Sequence, residues 1–204
     1  MNSKILRFLA LIQVLLVYSP VLSAQDWEFI KEKDGIKVYT RPEKNSSLKS
    51  FRGVMDIHST MERICTMIGN PNNREWWDKN LSEVKVLSME KNSYSFYMVV
   101  DLPWPVTDRD VCIETHVSTD AVTGIRTVSA QQLLNVVPEN PDLVRIKKYW
   151  QTWTIQPREN GIIHLELEGF ADPAGSIPAW LYNMFISDTP LKIMREVKKR
   201  AMIE

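Results

Sequence analysis

Cysteine, histidine and glycine are scarce in this chain, at 2, 3 and 7 of 204 residues. Two cysteines are too few for a disulfide-stapled scaffold. The histidines form no HxxxH, the cysteines no CxxC, and no carboxylate and histidine share a face at metal-ligand spacing, so no metal site is expected. A GxSxG elbow, a P-loop and a Gly-rich phosphate loop are all missing, which leaves acyl and phosphoryl transfer without their usual machinery. An excess of charge is also missing. Lys plus Arg number 25 and Asp plus Glu 25, so the basic surplus of a duplex nucleic-acid binder is absent. No apolar run reaches the roughly 20 residues of a membrane span. What the chain does have is 44% hydrophobic residues and 7 Trp, enough for one well-filled domain.

Lys4 and Arg7 precede an apolar run, Phe8 to Tyr18, followed by Ser19-Pro20 and the small residues Ser23 and Ala24. A positive start, a short apolar middle and a small-residue exit are the layout of a secretory signal peptide, expected over residues 1–24. The mature domain, 25–204, then holds 23 bases against 25 acids, and its place is periplasmic or extracellular. Export would permit a Cys65–Cys112 disulfide. One cysteine lies in a helical pattern and the other in a strand pattern, so both read as small buried hydrophobes.

No repeat or linker divides the mature chain. Val38 to Thr40 and Leu48 to Ile57 read as strands, and Ser59 or Thr60 caps a short helix, Met61 to Ile68. Tyr94, Phe96, Met98 and Val100 fall at period two, with Ser93 and Ser95 opposite them. Val111, Ile113 and Val117 alternate with Asp110, Glu114 and His116. Ile125 to Val137, Val144 to Ile155 and Ile162 to Phe170 complete the strand set, the last two joined by Asn160-Gly161, a type I′ hairpin signal. From Ile177 to Ile203 the apolar residues recur at helical spacing, with Pro190 splitting the helix near Ser187 to Pro190. Strands followed by one long helix make an α+β domain whose antiparallel sheet packs on that helix. His58, His116 and His164, and the acids Glu114, Glu166 and Glu168, fall on outward positions. The Trp residues suit either an aromatic core or an incompletely filled interior, and periodicity does not choose between them.

Four stretches then carry a resemblance. They are Glu75 to Asn80 with its two Trp, followed by Val84 to Leu87; Pro103 to Val111 with Asp108-Arg109-Asp110; Trp153 to Pro157; and Asp172-Pro173-Ala174-Gly175-Ser176-Ile177-Pro178-Ala179-Trp180-Leu181-Tyr182-Asn183. In this order they resemble the START (steroidogenic acute regulatory protein-related lipid transfer) domain family, whose last helix begins DPGG-x-IP-x-W-x-x-N. Ala174 stands where that motif has its first glycine. Gly175 suits a positive-φ bend and Ser176 a helix cap.

The resemblance implies a helix-grip fold, an antiparallel sheet wrapped around the C-terminal helix. It implies a lipid or other hydrophobic ligand held inside, with no cofactor and no covalent chemistry. It also implies a monomer whose contact with a membrane is transient. Inward ligand-binding candidates are Phe96, Met98, Val100, Val111, Ile113 and Thr115 on the strands, with Met184, Phe185, Leu191 and Met194 on the helix. Arg109 and Asp110 read as a structural ion pair. Sterol-transferring members place a base six residues beyond the motif Arg, where this chain has Thr115, so a sterol ligand does not carry over. Two other readings of the same fold stay open: a polyketide cyclase or aromatase, and a protein-interaction module.

Overall fold

The computed structural model of the chain describes residues 27–74 and 81–202. The expected signal peptide and the Glu75 to Asn80 motif lie outside the described residues. Ten strands form one sheet: β1 (Glu28–Lys33), β2 (Ile36–Pro42), β3 (Lys49–His58), β4 (Leu81–Met89), β5 (Ser93–Val100), β6 (Arg109–Thr119), β7 (Arg126–Gln132), β8 (Val144–Arg145), β9 (Tyr149–Pro157) and β10 (Ile162–Ala171). Their spatial order is β1-β2-β3-β10-β9-β7-β6-β5-β4, all antiparallel, with β8 lying parallel beside β6. Among the described residues three α-helices accompany the sheet: α1 (Met61–Cys65), α2 (Ala179–Phe185) and α3 (Thr189–Ala201). The expected α+β class and the sheet-on-helix arrangement are what is found.

Period-two alternation decides which face each strand buries. Phe96, Met98, Val111, Ile113, Val117, Val128, Trp153, Ile155, Leu165 and Leu167 belong to one core cluster with Leu191, Met194 and Val197 of α3. Tyr97, Val99 and Cys112 form a second, small cluster on the opposite face. The cysteines are therefore free thiols in separate places, with Cys65 on α1. Asn160 and Gly161 both have positive φ, 57° and 69°, as a type I′ hairpin requires.

The terminal helix divides where Pro190 directs it to. A 3-10 turn, Ile186–Asp188, separates α2 from α3, and Pro190 occupies the first turn of α3, where its missing N–H costs nothing. α3 then lies on β2, β3 and β10. Gly53 permits the close approach, because a Cβ there would stand 2.8 Å from Pro190 Cβ and collide with the Met194 sulfur. Thr60 is the cap of α1, its hydroxyl accepting from Arg63 N at 3.2 Å. Ser59 does something else: its hydroxyl donates to the carbonyl of Ala201 at 2.6 Å and so holds the C-terminus of α3.

Several expectations are corrected. α1 ends at Cys65 rather than Ile68, and Pro178, not Ser176, is the N-cap of α2. The run Val144 to Ile155 is broken between Arg145 and Tyr149, where the chain leaves the flank of β6 to start β9. Strand β1 has no counterpart in the sequence reading, because as an edge strand it buries almost nothing and so shows no alternation. Trp153 is buried in the core at 2% exposure, but Trp104 and Trp180 are 92% and 69% exposed, so the Trp surplus is not all core.

Ala174 adopts φ 53°, a left-handed conformation that costs an L-residue about 1 kcal/mol and glycine almost nothing. Ala174→Gly, which restores the family's residue, is expected to stabilise the fold by about 0.5–1 kcal/mol, partly offset by greater unfolded-chain freedom. Urea denaturation of the two proteins checks this.

Candidate functional site

A helix is about 10–12 Å across and strands are about 4.8 Å apart, so one helix covers only two or three strands. α3 covers β2, β3 and β10, and the inner residues there are sealed: Ile36, Val38, Leu165 and Leu167 are all 0% exposed. On the other half of the same face the situation differs. Val100 of β5, Arg126, Ala130 and Gln132 of β7, and Tyr149 and Gln151 of β9 point inward in register with core residues and are only half-buried. These inward-pointing residues keep accessible surface, so the space beside this half of the face is not sealed.

That space is not purely aliphatic. The Gln132 side-chain carbonyl accepts from the backbone N–H of Tyr149 at 2.9 Å, and the Tyr149 hydroxyl donates to the Gln151 side-chain carbonyl at 3.1 Å. These residues are joined across strands by the pairs Ile113 with Gln132 and Ala130 with Gln151. The sequence reading missed this polar row because a polar residue on a buried face interrupts the apolar alternation that marks the face. The available signal was register: Tyr149 and Gln151 are in phase with Trp153 and Ile155.

The ten candidates fall into two groups. Phe96, Met98, Val111, Ile113, Leu191 and Met194 lie in the inner core cluster. Thr115 is buried on the same face, paired with Tyr94 and Ala130, and Val100 is half-buried at the end of β5. Met184 and Phe185 are not brought to the core, being 53% and 58% exposed. The cause is the 3-10 turn, whose tighter winding breaks the helical phase between α2 and α3. α2 buries none of its residues. It is held by Asn183, which accepts from Lys49 N–H at 2.9 Å and donates to the carbonyl of Ser47 at 3.0 Å.

Arg109 and Asp110 are also corrected: consecutive strand residues face opposite ways, and they do not pair. Arg109 bonds the carbonyls of Thr107, Pro173 (3.1 Å) and Ala174 (3.3 Å), tying the approach to α2 onto the start of β6. Asp110 lies on the outer face and takes two bonds from Arg145, both at 2.8 Å, and one from the Tyr97 hydroxyl at 3.1 Å. Of the outward polar residues, His164 meets Asp56 at 2.6 Å and His116 meets Glu114 at 3.2 Å. Glu166 and Glu168 flank Arg52 at 2.6 and 3.6 Å. Among the described residues no cluster of His, Cys, Asp or Glu has the makings of a metal site.

Burial pushes the Tyr94 hydroxyl up to about 12, against the opposing charge of Arg126. Burial first, then the charge and hydrogen bond of Asp110, push Tyr97 up to about 12 as well. In the unfolded chain both ionise near pH 10. Between about pH 10 and 12 the unfolded chain therefore holds fewer protons than the folded one, and stability falls as pH rises. Urea denaturation at stepped pH is expected to show constant stability up to about pH 10 and a decline beyond it. Absorbance at 295 nm should show phenolate appearing with unfolding.

The START domain family model matches residues 15–202. An uncharacterized protein of Pseudomonas aeruginosa is 34% identical over 181 residues, which is 87% of this chain and 88% of that protein. Phosphatidylcholine transfer protein of the rat is 25% identical over 168 residues, covering 80% of this chain and 78% of the rat protein. Among solved structures, a STAR-related lipid transfer protein from Xanthomonas axonopodis superposes with a TM-score of 0.76 at 25% identity, over 85% of this chain and 97% of that one. Human StAR-related lipid transfer protein 5 superposes at 0.75 with 17% identity, over 98% of each, a likeness of fold. Matched over nearly its whole length, the chain belongs to the START domain family.

Proposed function

We propose that this chain binds a lipid between the inner face of β5, β6, β7 and β9 and the helices, and carries it without covalent chemistry. The observation that carries the reading is the half-sealed inner face: α3 covers β2, β3 and β10, while inward residues of β5, β7 and β9 keep accessible surface. A space of that kind, apolar with a few convergent polar groups, suits an amphiphile. The names of the relatives from rat and Xanthomonas axonopodis support a lipid as the cargo. The inner positions of β5, β6, β7, β9 and β10 carry neither His nor carboxylate, which favours a carrier over a cyclase needing a titratable group beside its substrate.

Exchange is proposed to occur on brief contact with a bilayer through α2. Trp180, Met184 and Phe185 are exposed on it, and Trp104 is 92% exposed on the loop that Arg109 ties to the approach of α2. Exposed aromatic and apolar side chains suit the membrane interface. The carrier is proposed to be an exported monomer, export being what the signal-like start suggests.

Transfer of fluorescent phosphatidylcholine between donor and acceptor vesicles tests the reading. The protein should accelerate transfer; Ile113→Trp, which fills the interior, should reduce it at least tenfold. Trp180→Ala with Phe185→Ser should weaken vesicle association while leaving lipid uptake intact. No acceleration and no uptake by the purified protein would contradict the proposal. Export predicts a mature N-terminus at Ala24 or Gln25 on protein recovered outside the cytoplasm, and a retained Met1 there would contradict it.

A further inference from the structure

Among the described residues Arg126 differs from Arg145, Arg109 and Arg52 in having no carboxylate or carbonyl partner, although Arg52 Nε is, like Arg126 Nε, buried without a hydrogen bond. Arg145 has Asp110 and two carbonyls, Arg109 has three carbonyls, and Arg52 has Glu166 and Glu168. Arg126 has neither an ion pair nor a hydrogen bond to any described residue, and its Nε is buried without a partner. Its position is on the inner face. It stands directly across from Ile155, which is 0% exposed, and two residues before Val128 in the core cluster.

The surroundings are narrow. A Cβ on Gly69 would meet Arg126 Nη2 at 3.6 Å, Val117 Cγ2 at 3.4 Å and Val128 Cγ2 at 2.8 Å, so the guanidinium runs between the valines and the backbone beyond α1. The Tyr94 hydroxyl and the Cys65 thiol both feel its charge, and Tyr94 is itself 6% exposed on this face. A guanidinium remains charged at any physiological pH and is shaped to take two oxygens at once. Arg126 is half-buried, and an Nε left without an acceptor beside valines is unfavourable unless something else supplies one. Nothing in the apolar periodicity of Ile125 to Val137 marks Arg126, which is why the sequence reading passed over it.

We infer that Arg126 receives an oxyanion, phosphate or carboxylate, that the bound ligand carries into the space behind α1. This rests on the lipid-binding reading and narrows it: the cargo has an anionic group. Neutral lipids of the same chain length would leave the guanidinium bare.

Direct binding to the purified chain tests this with four probes: NBD-labelled phosphatidic acid, an NBD-labelled fatty acid, NBD-labelled diacylglycerol with the same acyl chains as the phosphatidic acid, and sodium phosphate. Wild type is expected to prefer at least one acidic lipid over the diacylglycerol by about tenfold or more, the scale of a hydrogen-bonded charge. Arg126→Gln should abolish that preference; Arg126→Lys should retain part of it. Circular dichroism and melting curves establish that the variants fold. If wild type binds diacylglycerol as tightly as the acidic probes, or if Arg126→Gln keeps the preference, the anchor is overturned and lipid binding stands. If no labelled lipid binds, both are overturned. If phosphate alone stabilises wild type and not Arg126→Gln, with no preference among lipids, the site takes a free anion and the ligand-borne anchor is overturned.

Discussion

Asp110→Ala is expected to destabilise the protein by about 3–5 kcal/mol, the cost of leaving a buried charge without its partner. The carboxylate and the Arg145 guanidinium are 1% and 5% exposed, so water does little to screen or replace the interaction. Arg145 is held above its ordinary pKa, chiefly by its hydrogen bonds to Asp110. It would keep its charge in the variant with only the carbonyls of Val137 and Pro138 as acceptors. Tyr97 would lose its acceptor at the same time. Because Arg145 clips the segment after β7 onto the outer face of β6, the loss should reach Leu133, Val137 and Leu143, which pack over Tyr97, Val99 and Cys112. In a domain of this size the melting temperature should drop by roughly 10 °C or more. Asp110→Leu combined with Arg145→Leu removes both charges and should recover most of the stability, since an apolar pair often equals a buried ion pair. A single variant as stable as wild type would refute the account of this network.

Gly53→Ala has the second-largest expected effect, because it acts where α3 meets the sheet. The added methyl would meet Pro190 Cβ at 2.8 Å and the Met194 sulfur. Met194 has rotamers to spare, but the Pro190 ring is fixed, so the helix must lift from β3. Overpacking of this kind costs about 2–3 kcal/mol. Here it has a functional corollary, since moving α3 changes the space beside it. Chemical denaturation should show the loss of stability, and lipid uptake measured on the folded fraction should fall as well. Gly169 is equally confined, since a Cβ there would stand 2.5 Å from the Phe51 ring, yet alanine there disturbs the sheet face and not the helix. Comparing the two variants separates a general packing defect from displacement of α3.

How much of this could be read from residues alone follows from which forces leave a period in a sequence. The phase read from Tyr94, Phe96, Met98, Val111 and Ile113 is the phase found, although Tyr97, Val99 and Cys112 bury a smaller cluster on the other face. Asn160-Gly161 and Pro190 act through backbone geometry and act locally, so their effects were also readable. Tertiary partners leave no such mark. Asp110 alternates like any outward residue and becomes buried only because β8 returns alongside β6. Met184 and Phe185 share a spacing with Leu191 and Met194, and a three-residue 3-10 turn separates their faces. Arg126 and the row Gln132, Tyr149 and Gln151 sit on an inner face whose polarity no apolar pattern announces. The family resemblance supplied the architecture, and the interior chemistry required coordinates.

Native mass spectrometry of the purified chain is the most direct test of lipid carriage. The account predicts a population heavier than the polypeptide by one lipid, reduced to the bare chain mass by organic extraction and absent from Ile113→Trp. It further predicts that the extracted molecule carries a phosphate or carboxylate. A chain that is always bare, and that remains bare after incubation with phosphatidylcholine and phosphatidic acid vesicles, would contradict it.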